Sequence, residues 1–240
     1  MGDASTYGDR VVIVTGARKG IGRMLADHFL AGGAHVIGIS RSEGSIDHPN
    51  YAHETLDVGD DGAVRELFVE VARAQGRVDI VINNAAVLTS MHAMLMPASR
   101  AEEMVRTNLL GVLYVSREAA KLMRKPKWGR IINIGSMAST LEPIGDSVYA
   151  ATKAASLTLT GVLAKEFATY GITVNTLAVT AFETDMLAHL PRAKVDAVIA
   201  GLPLPRYPTA DDITNVVDFF ASARSSHITA QTVYLGGVHG

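Results

Sequence analysis

The chain has 240 residues, a formal net charge of −2 and no cysteine. This length suits one large α/β domain, 1–240. The near-neutral charge favours neither nucleic acid nor an anionic membrane as a partner, and the lack of cysteine excludes disulfides and thiolate chemistry.

The sequence also gives no sign of a metal site or a membrane segment. The eight histidines show no metal-ligand spacing. No apolar run approaches the roughly 20 residues of a membrane span, and the polar stretch 1–9 has no signal-peptide core. We therefore expect residues 1–9 to be a polar tail and the protein to be cytoplasmic.

Short apolar runs alternate with helical patterns along the chain. The predicted strands are Arg10–Thr15, His35–Ile39, His53–Asp57, Asp79–Ile82, Arg130–Gly135, Thr173–Ala178 and Thr232–Leu235. The predicted helices are Ile21–Ala31, Gly62–Gln75, Ser99–Arg124, Val148–Tyr170 and Ala210–Ala221. Continuous apolar strands are typical of a parallel sheet covered on both faces. The pattern predicts a doubly wound Rossmann fold with a mostly parallel seven-stranded sheet and helices on both faces.

The first strand leads into a glycine-rich loop. Its motif is GxxxGxG, formed by Gly16, Gly20 and Gly22 with Arg18, Lys19 and Ile21 between them. Glycines at this junction let the backbone approach a pyrophosphate at a helix N-terminus. The loop predicts nucleotide binding, although an ordinary tight turn is the alternative.

The end of the second strand bears on which nucleotide binds. An NAD site usually places an acid there for the ribose 2′-hydroxyl, whereas this chain has Ser40 and Arg41. Arg41, with Arg18 or Lys19, could pair with a 2′-phosphate, which favours NADP over NAD. Ordinary surface charge is the alternative interpretation.

Two further features flank this nucleotide region. Asp57-Val58 ends the predicted third strand, where the aspartate could accept a hydrogen bond from an adenine amino group or simply cap a helix. The connection from Arg41 to Tyr51 contains Gly44 and Pro49 and is too short for a full crossover helix. We expect a tight turn there.

The stretch from Arg130 to Lys153 carries the candidate chemistry. Tyr149 and Lys153 are four residues apart and share one face of a predicted helix, while Ser136 ends the preceding strand. An ammonium beside a phenol favours the phenolate, so we expect Lys153 to lower the pKa of Tyr149 from about 10. That arrangement would make a proton donor for a carbonyl/alcohol pair.

These motifs, with Asn83-Asn84-Ala85-Ala86 and Asn108, make the chain resemble the short-chain dehydrogenase/reductase family, and 3-oxoacyl-acyl-carrier-protein reductases in particular. The resemblance covers nearly the whole length. It implies that Asn83 and Ala85 support the adenine ribose, while Ala86 replaces a usual glycine.

The resemblance also implies roles in carbonyl reduction by NADPH. Tyr149 matches the general acid/base, Ser136 the group that holds the substrate carbonyl, and Lys153 the residue that binds the nicotinamide ribose. Asn108 matches the residue that kinks its helix and holds a water in a proton relay. Hydride would pass from the nicotinamide to the carbonyl carbon, and Tyr149 would protonate the oxygen.

One loop departs from the family pattern. Val179-Thr180 stands where relatives have Pro-Gly, which removes a fixed φ and a permissive glycine. Thr184 still matches a threonine that contacts the cofactor. We expect cofactor binding to persist and the substrate pocket to change.

The substrate itself is not determined by the sequence. We expect it between the methionine-rich loop Met91–Met96 and a lid at 187–207, although these apolar residues could equally be ordinary packing. Related acyl-carrier reductases use two basic docking residues, and this chain has Lys127 and Tyr170 at the matching positions. Apolar surfaces on the two long central helices imply, by the same resemblance, a homotetramer, with a dimer as the alternative.

Three functional hypotheses follow. The first is an NADP-dependent reductase of a ketone, β-keto ester or acyl thioester. The second is an NAD-dependent alcohol or sugar dehydrogenase of the same fold. The third is a non-catalytic cofactor-binding protein, which only the altered Val179-Thr180 loop favours.

Overall fold

The computed structural model describes residues 6–182 and 192–238. Its centre is a seven-stranded sheet in the order β3-β2-β1-β4-β5-β6-β7, and all six neighbouring pairs are parallel. The strands are β1 (Val11–Thr15), β2 (His35–Ser40), β3 (Tyr51–Thr55), β4 (Ile80–Asn83), β5 (Gly129–Ser136), β6 (Ile172–Val179) and β7 (Thr232–Tyr234). The predicted doubly wound fold is confirmed.

Helices cover both faces of the sheet. They are α1 (Gly20–Ala31), α2 (Asp61–Ala74), α3 (Ala98–Val105), α4 (Gly111–Met123), α5 (Ala138–Leu141), α6 (Ser147–Phe167), α7 (Arg192–Ala200) and α8 (Ala210–Ala221). One face buries Phe29 of α1 and Phe220 of α8. The other buries Phe68, Val115 and Leu163 from α2, α4 and α6. The central strands β1, β4, β5 and β6 are almost fully buried, as continuous apolar strands require, whereas the edge strands β3 and β7 are partly exposed.

Two predicted boundaries were wrong, and one predicted helix is interrupted. The third strand begins at Tyr51 and ends at Thr55, two residues earlier than predicted. The polar tail is shorter than 1–9, because Tyr7 is buried against Phe29 and its hydroxyl donates a hydrogen bond to Asp218. The predicted helix Ser99–Arg124 contains a π-helical segment, Arg106–Leu110, between α3 and α4.

The predicted tight connection between β2 and β3 is confirmed, since residues 41–50 contain no helix. No helix within the described ranges is long and apolar enough to cross a bilayer. The strand order reverses between β1 and β4, and both strands end at the same edge. In open α/β sheets this is the point where ligands bind.

Candidate active site

The loop between β1 and α1 packs closely on the turn that follows β4. Gly16 has φ 70°, a left-handed conformation that glycine adopts without strain. A Cβ on Gly16 would lie 2.7 Å from Asn84 Nδ2, and one on Gly22 would lie 2.3 Å from the Gly16 carbonyl oxygen. Neither position has room for a side chain. The two glycines therefore allow the loop at the N-terminus of α1 to pack directly against the turn after β4.

The turn after β4 is fixed to this loop by hydrogen bonds. Thr15 Oγ1 accepts from the backbone N–H groups of Asn84 at 3.0 Å and Ala85 at 2.9 Å. Asn84 Nδ2 donates to the Thr15 carbonyl at 2.9 Å. Asn84 was not among the predicted site residues, although it belongs to the Asn83–Ala86 motif.

A cleft of about 370 Å³ opens in front of the glycine loop. The predicted residues that line it are Gly16, Arg18, Lys19, Gly20, Ile21, Ser40, Arg41, Asp57, Val58 and Ala85. Ser42, beside Arg41, lines it as well, and the residues that sequence reasoning missed are Ile39, Leu56, Asn84, Ala86, Val87 and Thr107. Most of the missed residues lie beside a motif, at the end of a strand.

The cleft fits a dinucleotide. It lies at the carboxyl ends of β1, β2 and β4, and its volume is in the range of small-molecule sites. The N–H groups in the first turn of α1 have no intrahelical partner and favour an anion such as a pyrophosphate. The cleft is closed at one side by Asp57, whose Oδ1 accepts from Gly59 N at 2.8 Å and does not cap a helix. Asp60 caps α2 instead.

Asn83 is not among the residues that line the cleft, and its side chain lies behind the turn that was expected to support the adenine ribose. It is 4% exposed, and its Nδ2 donates to Ser116 Oγ at 2.9 Å and to Asn133 Oδ1 at 2.8 Å. The side chain points into the sheet–helix interface because its strand position faces α4. It stabilises the core beneath the cleft. Gly22 does not line the cleft either, and packs closely against Gly16 and Asn84 as described above.

The end of β2 forms a polar corner of the cleft. Ser40 Oγ lies 2.5 Å from the Ser42 carbonyl and 2.9 Å from His53 Nε2. Tyr51 Oη lies 2.7 Å from His53 Nδ1. Arg41 Nη1 donates to Glu103 Oε1 of α3 at 2.8 Å. The acid that opposes Arg41 is therefore Glu103, which the sequence did not indicate, since the two residues are 62 positions apart.

Asn108 connects the turn after β4 to α6, the helix that carries Tyr149 and Lys153. It lies in the π-helical segment and is 1% exposed. Its Oδ1 accepts from Val87 N at 2.8 Å, and its Nδ2 donates to the Val87 carbonyl at 2.9 Å and to Thr152 Oγ1 at 3.2 Å. A π-helical segment interrupts regular helical hydrogen bonding, which gives a physical basis for the expected distortion at this residue.

Ser136, Tyr149 and Lys153 lie at the carboxyl end of β5 and in the first turns of α6. Tyr149 is 9% exposed and Lys153 is 6% exposed. The Ser136 hydroxyl lies close enough to the phenol to lower its pKa, and Ser136 Oγ accepts a hydrogen bond from Ala138 N at 3.1 Å. Lys153 Nζ donates to the Ile134 carbonyl at 2.8 Å and lies 5.8 Å from the centre of the Tyr149 ring. The predicted trio is therefore assembled in one place.

The pKa of Tyr149 is raised from its usual value, whereas the sequence predicted a lowered pKa. Burial raises this pKa, the hydrogen bond with Ser136 lowers it, and the charge of Asp146 raises it. Desolvation of the phenolate is the largest effect, and Lys153 is directed at Ile134 rather than at the phenol oxygen. In this structure Tyr149 is a neutral proton donor at physiological pH.

Burial also lowers the pKa of Lys153 from 10.5 to about 8. Between those values the folded state binds fewer protons than the unfolded state, so the free energy of unfolding rises with pH through this window. Between a pH of about 8 and about 10.5, we expect the free energy of unfolding of wild type to rise by up to about 3 kcal/mol relative to that of Lys153→Met. Urea unfolding of both proteins across this range measures the difference. A difference that stays constant with pH would contradict the lowered pKa.

The Val179-Thr180 replacement changes the strand beside Ser136. β6 extends to Val179, which pairs with Ser136 and accepts from Met137 N at 2.9 Å. Thr180 is 5% exposed, and its Cγ2 fills the space beside Gly236. The strand continues one residue beyond its predicted end because valine, unlike proline, imposes no fixed φ.

The predicted lid, 187–207, is described from residue 192 onward. α7 packs through Val195 and Ile199 against Ala181 and Leu202. The predicted cofactor contact Thr184 lies outside the described residues, as do Leu187 and Leu190 of the lid.

The surface beside the start of α6 carries exposed apolar side chains. Met94 is 86% exposed, Leu95 71% and Ile144 84%. The two loops are linked, because Met91 N donates to the Gly145 carbonyl at 2.7 Å. A second cleft of about 370 Å³ lies between Ser139 and Ala154. These features make an apolar margin beside the N-terminal turns of α6.

Comparison with known proteins gives a consistent result. A family model described as short chain dehydrogenase matches residues 10–194. The chain is 34% identical to 3-oxoacyl-acyl-carrier-protein reductase of Salmonella typhimurium over 238 residues, covering 97% of this chain and 98% of that one. It is also 34% identical to the Escherichia coli protein of the same name over 234 residues, covering 95% and 96%.

Solved structures share the fold. Aldohexose dehydrogenase of Thermoplasma acidophilum matches with a TM-score of 0.88 and 25% identity, covering 99% of this chain and 96% of that one. Levodione reductase matches with a TM-score of 0.87 and 27% identity, covering 96% and 97%.

Proposed function

The chain belongs to the short-chain dehydrogenase family and is an NAD(P)-dependent oxidoreductase, and on that premise we propose that it uses NADPH to reduce a ketone or β-keto substrate to a secondary alcohol. The observation that supports this most directly is the buried phenol of Tyr149, which lies beside the Ser136 hydroxyl with Lys153 one helical turn away. A neutral phenol beside a hydroxyl is suited to protonating a carbonyl oxygen.

Each residue of the site has a distinct task. When bound, the cofactor supplies the hydride. Ser136 donates a hydrogen bond to the substrate oxygen and so stabilises the charge that develops there. Tyr149 gives its proton to the same oxygen. Lys153, held by the Ile134 carbonyl, places a cation near the phenol and the nicotinamide ribose.

Asn108 is a positioning residue in this proposal. Its amide binds Val87 of the cofactor cleft and Thr152 of the catalytic helix. It thereby sets the distance between the cleft and the turn of α6 that carries Tyr149 and Lys153. A water held by Asn108 in a proton relay remains part of the proposal.

NADPH is proposed over NADH because Arg41 lies at the end of β2, where an acid would bind a ribose 2′-hydroxyl. Ser40 and Ser42 offer hydrogen bonds beside it, and the relatives named above are acyl-carrier-protein reductases. The second candidate is an NAD-dependent sugar dehydrogenase. Its support is the ion pair that already occupies Arg41, together with the fold shared with an aldohexose dehydrogenase.

Replacing Arg41 with alanine separates these candidates. We expect NADPH affinity to fall roughly tenfold or more, since a hydrogen bond between charged groups contributes about 1.5–3 kcal/mol. NADH affinity should stay within about twofold by the same reasoning, because NADH lacks the 2′-phosphate. Fluorescence titration of each cofactor measures both. Arg124→Ala, at an exposed arginine that follows α4, is the control. Equal losses for both cofactors would contradict the NADPH assignment.

The substrate is proposed to be a carbonyl compound with an apolar portion, such as a 3-oxoacyl thioester. The apolar margin formed by Met94, Leu95 and Ile144 supports this, as does the similarity to acyl-carrier-protein reductases. Only Lys127 of the two docking positions is basic, since the second is Tyr170. NADPH oxidation over β-keto thioesters, diketones, cyclic ketones and keto sugars tests the proposal. Turnover restricted to keto sugars would favour the second candidate.

A homotetramer is also proposed, with a dimer as the alternative. Val105 is 37% exposed and Val162 45%, on the long helices that the family resemblance places at an interface. Sedimentation equilibrium distinguishes the two, and a monomeric mass would contradict both.

A further inference from the structure

Arg41 already has an anionic partner within its own chain. Its Nη1 lies 2.8 Å from Glu103 Oε1, and the other carboxylate oxygen, Oε2, lies 2.9 Å from Arg100 Nη1. Glu103 is the central member of this cation–anion–cation group, and its side chain is 31% exposed, against 56% for Arg41. The pair joins the end of β2 to α3 across the edge of the nucleotide cleft.

A 2′-phosphate and Glu103 would use the same donor. A guanidinium can share its N–H groups, but the carboxylate would then lie within a few ångströms of a group with a charge near −2. Glu103 remains ionised at physiological pH, because its hydrogen bond with Arg41, and to a smaller extent that with Arg100, lowers its pKa. Full engagement of the phosphate by Arg41 therefore meets a fixed negative charge.

For NADH the same pair has the opposite consequence. An arginine at the end of β2 with no phosphate to bind would leave a cation without a partner beside the ribose. Glu103 supplies that partner and lowers the net positive charge of the corner. The pair therefore reduces the penalty for binding the cofactor that lacks the phosphate.

We propose that Glu103 is a specificity-determining residue, which competes with the cofactor 2′-phosphate for Arg41 and so sets the balance between NADPH and NADH. The inference rests on the proposed function in that Arg41 is taken as the phosphate ligand. It gives α3, which carries Glu103, a role in cofactor choice in addition to the roles of the glycine loop and the end of β2.

The test uses Glu103→Gln, which keeps the size of the side chain and removes its charge. Glu102→Gln is the matched control, because it removes the same charge from an exposed neighbour on α3. Calorimetric titrations of the intact protein with NADPH, NADH and adenosine 2′,5′-bisphosphate give affinities independently of turnover. We expect Glu103→Gln to bind NADPH and the bisphosphate roughly fivefold to tenfold more tightly and NADH equally or more weakly. Glu102→Gln should match wild type.

A second variant shows whether the effect passes through Arg41. In the Arg41→Ala background, Glu103→Gln should raise NADPH affinity by clearly less than it does in wild type, because the shared donor is gone and only the repulsion between the carboxylate and the phosphate is relieved. Unchanged or weaker NADPH binding by Glu103→Gln would overturn the competition, while a loss of NADPH affinity in Arg41→Ala alone would leave the proposed function intact. If Arg41→Ala leaves NADPH affinity unchanged, both the inference and the NADPH assignment fail.

Discussion

Replacing Tyr149 with phenylalanine is expected to lower kcat on the order of a thousandfold, within the 10²–10⁴ range of general acid catalysis. The aromatic ring would remain packed against Met104 and Ala138, so the fold should persist. The lost atom is the phenol oxygen of a buried side chain that lies beside the Ser136 hydroxyl. Steady-state kinetics with the preferred ketone measures kcat, and titration of the cofactor checks that binding persists, since the residues that line the nucleotide cleft are unchanged.

Tyr114→Phe provides the control for this substitution. Tyr114 lies on α4 with Arg117 over its ring and does not belong to the group of side chains packed around Tyr149. It should keep wild-type turnover. Retention of more than about a tenth of kcat by Tyr149→Phe would mean that another group donates the proton, because general acid catalysis contributes at least about a hundredfold.

Gly22→Ala is the second substitution with a large expected effect. A Cβ at this position would lie 2.3 Å from the Gly16 carbonyl oxygen and 2.5 Å from Asn84 Nδ2. The first contact is with backbone and cannot be relieved by a rotamer change, so the loop must move. Overpacking of this kind costs about 1–3 kcal/mol or more, and we expect cofactor affinity to fall on the order of 10- to 100-fold.

Gly161→Ala is the matched control, because no atom lies within 4 Å of a Cβ built there. This position is in α6, where alanine is favoured over glycine by roughly 0.5–1 kcal/mol. Cofactor affinity should be unchanged and thermal stability slightly raised. Thermal unfolding of both variants without cofactor separates a local effect from a general loss of structure. Wild-type cofactor affinity in a folded Gly22→Ala protein would contradict the assignment of this loop.

The architecture could be predicted because its signals are local. Continuous apolar runs such as β1 and β6 identify buried parallel strands, and their alternation with helices defines a doubly wound sheet. The third strand was misplaced because Asp57 forms a turn with Gly59 rather than continuing the strand. Helix α7 was missed because its sequence, Arg192–Ala200, is short and lies in a region without a strong capping signal.

Contacts between distant residues could not be predicted. Nothing near Arg41 in the sequence identifies Glu103, since the sheet and α3 bring them together. The direction of the Asn83 side chain depends on which face of β4 it occupies. The pKa of Tyr149 depends on the depth of burial, which outweighs the local YxxxK spacing. The spacing predicted which residues meet, but the local environment determines their charge.

The most direct test of carbonyl reduction is isotope transfer from NADPH in which both hydrogens on the reactive nicotinamide carbon are replaced by deuterium. The ketone with the highest turnover is incubated with the protein and the labelled cofactor, and the alcohol product is analysed by mass spectrometry and NMR. We predict one deuterium at the new carbinol carbon and a hydroxyl proton that comes from solvent through Tyr149. An unlabelled alcohol, or no alcohol from any ketone tested, would contradict the proposed function.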